Sequence, residues 1–186
     1  MGNFKFSAAP LKGLLIIEPK AFADDRGFFM ETYNKNSFAE CGFNEVFVQD
    51  NRSRSQKGVV RGMHYQLNPA AMGKLVSVIS GKIFDVGIDL RKGSPTFGKW
   101  YGETLSGENK RMLYLPPGFA HGFLALEDGT EVLYKCTGMY SPKDERTILW
   151  NDPDINIKWP IEGIKEVIVS EKDQKSPGFK SAEVFA

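Results

Sequence analysis

Cysteine and histidine are scarce, long apolar runs are missing, and neither sign of charge is in excess. Only Cys41 and Cys136 occur in 186 residues, too few for a disulfide framework and too far apart for a CxxC metal or redox pair. They suit a reducing cytosol, where a free cysteine most often serves as a small buried apolar residue. The longest aliphatic run, Leu14 to Ile17, falls far short of the ~20 residues of a membrane helix. Met1 to Gly13 carries no apolar h-region, so no signal peptide is expected, and Phe6 breaks a myristoylation pattern. Asn51-Arg52-Ser53 matches a glycosylation sequon, but without a secretion signal it reads as chance. The expected compartment is the cytoplasm. Twenty-four Lys and Arg against 23 Asp and Glu leave a net charge of +1. That balance argues against a protein built on nonspecific attraction to nucleic acid or a membrane surface, while a local basic pocket for a small anion is compatible with it. Neither GxGxxG nor a P-loop pattern occurs, so the common nucleotide-binding loops have no support.

What the chain does have is short strands. Phe84, Val86, Ile88 and Leu90 alternate with Ile83, Asp85, Gly87 and Asp89, a period of two. Leu14 to Glu18, Phe28 to Tyr33, Val46 to Gln49, Val59 to Tyr65, Leu75 to Ile79, Met112 to Leu115, Phe123 to Leu126 and Val132 to Cys136 read the same way. Asp128-Gly129 gives a hairpin signal between the last two. Helix is expected only over Ser37 to Cys41 and Asn151 to Ile155. Nineteen glycines and ten prolines punctuate the strands. The pattern predicts an all-β sandwich or barrel in one domain, residues 1–186, with a looser segment after about Trp159.

The two histidines sit in segments of unusual texture, Val60-Arg61-Gly62-Met63-His64-Tyr65-Gln66 and Pro116-Pro117-Gly118-Phe119-Ala120-His121-Gly122-Phe123. A cation, an imidazole and an amide within six residues of strand are costly to bury without partners, which favours a ligand cavity. Alternation puts His64 and Gln66 on one face and Arg61 on the other, unless a bulge at Gly62 turns Arg61 inward. A metal site is the rival reading of paired histidines. It is disfavoured because Gln66 interrupts a His-x-His pattern and the cysteines lack ligand spacing. Arg26 in a polar turn, Lys74 at a strand start, Tyr134 on the face of Val132 and Cys136, Tyr140 at a strand end and Asp173 near the C-terminus are further candidates. Taken singly, each reads more simply as a surface charge or a packing ring.

Taken together, the motifs are informative. Asp24-Asp25-Arg26-Gly27-Phe28-Phe29, Gln49-Asp50-Asn51, Arg61-Gly62-Met63-His64-Tyr65-Gln66 and Phe84 to Arg91 occur in order. Ser94-Pro95-Thr96-Phe97-Gly98, Pro117 to Phe123, Leu133-Tyr134-Lys135 and Ser170-Glu171-Lys172-Asp173 continue the series. This arrangement, from about Phe22 to Asp173, closely resembles the dTDP-4-dehydrorhamnose 3,5-epimerase family of the cupin superfamily. The resemblance implies a cupin jelly-roll β-sandwich with a few short helices, usually a homodimer, working on a dTDP-linked ketosugar without metal or organic cofactor in dTDP-L-rhamnose synthesis.

Inverting two carbons beside a ketone requires a base, an acid on the opposite face and a stabiliser for the enolate. The resemblance assigns these parts to His64 as base, Asp173 as its carboxylate partner, Tyr134 as acid and Lys74 as the cation near the enolate oxygen. It implies substrate contacts for Arg26, Glu31, Gln49, Asp50, Asn51, Arg61, Lys74, His121, Glu145 and Lys172, and a thymine-stacking role for Tyr140. Met63 and Met139 depart from the commoner Leu and Tyr. A monofunctional epimerase or ketoisomerase on a related nucleotide sugar is the nearest rival, since such enzymes share most of this apparatus.

Overall fold

Each short strand with one apolar face must find a second layer to cover it, and these strands do so in two stacked sheets. The computed structural model describes residues 2–186. One sheet runs in the order β1 (Phe4–Ala8), β2 (Leu15–Pro19), β10 (Met112–Leu115), β7 (Lys74–Ser80), β12 (Thr130–Cys136) and β5 (Gln49–Ser55). The facing sheet runs β13 (Glu145–Thr147), β6 (Val59–Gln66), β11 (Phe119–Ala125), β8 (Lys82–Asp89) and β9 (Trp100–Ser106), with β14 (Ile168–Val169) parallel to β6. From β5 onward the chain passes repeatedly between the sheets, with β8–β9 and β13–β14 the only consecutive strands that stay in one, and the result is the jelly-roll β-sandwich expected. A separate two-stranded ribbon, β3 (Phe22–Asp24) with β4 (Gly27–Phe29), stands outside both sheets. The helices are short: α1 (Lys35–Glu40), capped by the Asn34 side chain, and α2 (Glu171–Gln174), capped by Ser170.

Apolar side chains divide into three clusters. Val76, Val78, Ile83, Leu105, Leu113, Leu115, Phe119, Phe123 and Val132 fill the space between the sheets. Phe38 of α1 meets Phe4, Phe6, Tyr33 and Phe43 edge-on over the outer face of the first sheet. The outer face of the second sheet, including Val86, Ile88 and Leu124, is covered by Ile155, Ile157 and Trp159 and by the C-terminal residues Phe179 and Phe185. The alternation along β8 is therefore inverted from the usual sense. Its continuous apolar face points away from the sandwich interior, and Asp85 and Asp89 sit on the face toward it.

Several local expectations are corrected. No strand covers Val46 to Val48. The ladder to β12 begins at Gln49 opposite Cys136 and continues to Ser55 opposite Thr130. Gln-Asp-Asn-Arg-Ser-Arg-Ser is polar on both faces, so it gives no hydrophobic signal. Asp128-Gly129 turns the chain from one sheet to the other and makes no hairpin. Pairing after Phe28 stops at Phe29, and Tyr33 packs on Phe38. Asn151 to Ile155 is not helical. The buried Asp152 carboxylate accepts the backbone N–H groups of Asp154, Ile155 and Phe179, a local alternative to the helix ladder. The segment after Trp159 is tied down, through β14, α2 and the bond from Phe185 N–H to the Leu90 carbonyl. Cys41 is exposed, and only Cys136 is buried.

Candidate active site

Two of β6's site residues reach the interior because the strand is irregular. His64 lies opposite His121 and Arg61 opposite Phe123, so two residues on β6, Gly62 and Met63, stand against one on β11, Gly122. This bulge, at Gly62 and Met63, turns Arg61 onto the face of His64. Gly62 has φ +130°, and a Cβ there would lie 2.5 Å from Gly122 Cα and 2.9 Å from the His121 carbonyl oxygen. Only glycine suits that backbone. The Gly62 N–H also donates to Asp173 Oδ2 at 3.4 Å.

α2 brings the partner of His64. Ser170 caps the helix by accepting from Asp173 N–H, and Asp173 Oδ1 lies 2.7 Å from His64 Nε2. The carboxylate is almost fully buried, and the imidazole is about one-third exposed (32%) to the cavity. Burial alone would raise the Asp173 pKa, but the bonds from His64, Gly62 and Ser170 prevail and hold it below the ordinary carboxylate range. A buried carboxylate on one ring nitrogen fixes the tautomer and orientation of the imidazole and leaves the other nitrogen free toward the cavity.

Lys74 opens β7 on the face shared by Val76 and Val78, and its Nζ lies 3.5 Å from the His64 carbonyl oxygen. Burial pushes its pKa down, opposed by Cys136, Asp85 and Glu145. Tyr134 is half-buried against the inner core, and burial pushes its phenol pKa up, so the group holds its proton at neutral pH. His64, Lys74 and Tyr134 line two adjoining cavities, of about 510 Å³ and about 210 Å³. The larger adds Ser53, Arg61, His121, Phe123, Ile168, Lys172 and Asp173, and the smaller adds Gln49, Asn51, Met72, Cys136, Tyr140 and Glu145. The three shared side chains stand where the two cavities meet.

The smaller cavity ends at an exposed ring. Tyr140 is 55% exposed, with its backbone N–H on Gln49 Oε1 and its hydroxyl donating to Glu145 Oε2 at 3.0 Å. Gln66 holds the same loop. Its amide donates to the Ala70 and Met139 carbonyls and accepts from Ser141 N–H. Lys172 donates to Glu145. Burial would raise Glu145, but Lys172 and Tyr140 hold it low and ionised.

Three candidates are not brought to this cavity. Arg26 is exposed in the turn of the β3–β4 ribbon and binds Asp24. Glu31 accepts from Asn3 and Asn34. Asp50 lies on the outer face of β5, paired with Lys135 at 2.9 Å. The structure also adds groups that the sequence did not single out. Asp85, Ser53 and Cys136 alternate with apolar or polar neighbours like any strand residue, and only the second sheet reveals that Ser53 and Cys136 face a cavity and that Asp85 is enclosed between the sheets. Among the described residues no group of three or more His, Cys, Asp or Glu side chains converges as a metal site requires.

The fold and these side chains define a class: a jelly-roll sandwich whose interior carries a carboxylate-bonded imidazole, a lysine and a tyrosine at the junction of two cavities. The sequence profile described as dTDP-4-dehydrorhamnose 3,5-epimerase matches residues 8–181. The chain is 50% identical over 182 residues to the dTDP-4-dehydrorhamnose 3,5-epimerase of Pseudomonas aeruginosa, covering 97% of this chain and 99% of that one. It is 52% identical over 174 residues to the enzyme of the same name from Methanothermobacter thermautotrophicus, covering 94% of each. The crystal structure of a dTDP-6-deoxy-D-glucose-3,5-epimerase from Legionella pneumophila, in complex with dTDP-4-keto-L-rhamnose, superposes with a TM-score of 0.91 at 46% identity, covering 96% of this chain and 94% of that one. A 3'-monoepimerase from Streptomyces bikiniensis in complex with dTDP-quinovose is more distant, with a TM-score of 0.85 at 32% identity over 91% of this chain and 85% of that one. The chain belongs to the dTDP-4-dehydrorhamnose 3,5-epimerase family.

Proposed function

We propose that the chain converts dTDP-4-dehydro-6-deoxy-D-glucose to dTDP-4-dehydro-L-rhamnose, inverting C3 and C5 in dTDP-L-rhamnose synthesis. The observation that carries this reading is the convergence of the His64–Asp173 pair, Lys74 and Tyr134 where the two cavities meet. His64 takes the proton from a carbon beside the C4 ketone, and the electron pair of that C–H bond moves onto the C4 oxygen. Lys74 stabilises the enolate, a role in which a fixed charge in a dry cavity is most effective. Tyr134 returns a proton to the opposite face, so atoms and charge balance without a redox partner. Gln49, Asn51, Tyr140, Glu145 and Lys172 hold the nucleotide end, with the exposed Tyr140 ring as the stacking surface for thymine.

The working unit in this reading is a homodimer in the cytoplasm. Arg26 and Glu31 are remote from the cavity of their own chain, and the ribbon bearing Arg26 exposes Phe22, Phe28 and Phe29, at 45%, 57% and 68%. Aromatic side chains this open on a projecting ribbon fit a contact with a second copy. Free Cys41 and Cys136 suit a reducing compartment.

Proton NMR of the product, trapped with a 4-ketoreductase, tests the reaction. Rhamnose configuration at both carbons is expected, and inversion at one carbon alone replaces this reading with a monofunctional epimerase. Analytical ultracentrifugation should give twice the chain mass for the wild type and a shift toward monomer for Phe28→Asp. A wild-type monomer removes the dimer from the reading.

A further inference from the structure

A second carboxylate–imidazole pair stands beside the first, and no step above uses its acid. Asp85 is fully buried, and its Oδ1 lies 2.7 Å from His121 Nε2. The register explains the contact. His121 is opposite Gly87 on β8, and Asp85 is two residues along the same face, a diagonal spacing that long side chains bridge. Ile83, Phe119 and Phe123 surround the pair in the inner apolar cluster, and the other carboxylate oxygen, Oδ2, has no hydrogen-bond partner.

Such a pair is a poor way to stabilise a core. A buried ion pair is commonly matched or surpassed by apolar residues of the same volume, and a carboxylate oxygen without a donor adds a desolvation cost. The arrangement is better explained by what it does to the imidazole. With Nε2 donating to Asp85, a neutral His121 keeps its lone pair on Nδ1, which makes no hydrogen bond among the described residues and is not among the sealed, unpartnered atoms. Protonation would set a further cation in a cavity that already holds Arg61 and Lys74 and is lined by His64. Burial pushes the His121 pKa down despite the Asp85 charge, and Lys74 and His64 push the same way.

The larger cavity is otherwise rich in donors and short of acceptors. Arg61, Lys74 and Lys172 only donate, Tyr134 holds its proton, the Asp173 carboxylate is occupied by His64 and Gly62, and the Ser53 hydroxyl is the one other unpartnered acceptor among the described residues that line it. A sugar hydroxyl must give its proton to something. We propose that Asp85 is a positioning residue that holds His121 in the Nε2–H tautomer, so that Nδ1 accepts a hydrogen bond from a hydroxyl of the hexulose ring in the larger cavity. This rests on the reading that the cavity binds the ring of a nucleotide-linked ketosugar.

With only two histidines, ¹⁵N NMR of the wild type resolves His121 directly. The expected state between pH 6 and 8 is a neutral ring protonated at Nε2, with the Nδ1 resonance shifting upfield when dTDP-L-rhamnose is added. An imidazolium, an Nδ1–H tautomer, or an Nδ1 resonance unmoved by bound ligand overturns the proposal. A double-mutant cycle supplies the kinetic arm. Asp85→Asn should lower kcat/KM about tenfold or more in the wild-type background, the scale of one lost hydrogen bond to a sugar hydroxyl. It should cost less than twofold in a His121→Asn background, where no imidazole remains to be held. An equal cost in both backgrounds, or none in the first, means that Asp85 does not act through His121. Should Asp85→Asn fail to fold, the wild-type spectra still decide. Absence of wild-type turnover on dTDP-4-dehydro-6-deoxyglucose would instead count against the proposed function.

Discussion

His64 and His121 face each other across β6 and β11, and each places its Nε2 on a different buried carboxylate, Asp173 and Asp85, at the same 2.7 Å. The two imidazoles differ in exposure. The His64 side chain is 32% exposed to the cavity, and the His121 side chain is 8% exposed. Accessibility suits His64 to exchange protons with a substrate, and enclosure suits His121 to hold one protonation state.

Turnover in D₂O should therefore place solvent deuterium at both C3 and C5, because each inversion passes through an enolate reprotonated by an exchangeable group. His64→Ala is expected to abolish exchange at both carbons. Asp173→Asn should leave a slow, measurable rate, since it disturbs the tautomer and orientation of His64 without removing it. Mass and NMR analysis of the product read this out. Exchange at both carbons persisting in His64→Ala would remove His64 from the mechanism.

Tyr134 and Tyr140 should separate chemistry from binding. Tyr134→Phe keeps the ring but deletes the transferable proton, a change that typically costs 10²–10⁴-fold in rate. Tyr140→Ala deletes an exposed stacking face worth about 1–3 kcal/mol by analogy with base stacking on aromatics. Steady-state kinetics should show the first as a fall in kcat and the second mainly as a rise in KM. A Tyr134→Phe variant with normal kcat would exclude this residue as the acid.

Gly62→Ala tests the bulge. The added Cβ meets backbone atoms of β11 at 2.5 and 2.9 Å on a residue with φ +130°, a combination that costs roughly 1–3 kcal/mol or more. Lower stability is expected together with loss of activity, because the same backbone places Arg61 and bonds Asp173. Urea denaturation that matches the wild type would contradict the geometry.

Asp89 offers a stability measurement away from the site. Burial would raise its pKa, but bonds from Arg91, Ser94 and Thr96 bring it down to about 2 from an ordinary 3.8. A carboxyl lowered by folding stabilises the native state above its unfolded pKa, here by about 2 kcal/mol. That contribution declines as pH falls from about 4 toward 2. Asp89→Asn should cost about this much at pH 7 and progressively less below pH 4, by urea denaturation at each pH. A cost that did not change with pH would disprove the linkage.

The amino-acid order by itself determined the class of fold and most of the chemistry. Period-two alternation, glycine-marked turns and two histidine-bearing segments point to a β-sandwich with a ligand cavity, and the family resemblance carried by the motif series implies one apparatus of His64, Lys74, Tyr134 and Asp173. Such information is local, carried by neighbours in the chain. Strand β5 escaped it because a strand between solvent and a polar cavity has no apolar face to display, and α2 escaped because it has four residues. Only the tertiary structure decided which sheet each strand joins, that the Gly62 bulge turns Arg61 inward, and that Asp50 points out. It alone set Asp85 against His121, from strands 36 residues apart. The physical reason is that a charged residue in an alternating strand looks the same in sequence whether its face meets water or a second sheet. That choice is made when two sheets, each burying its apolar side chains, close over whatever polar groups share the enclosed face.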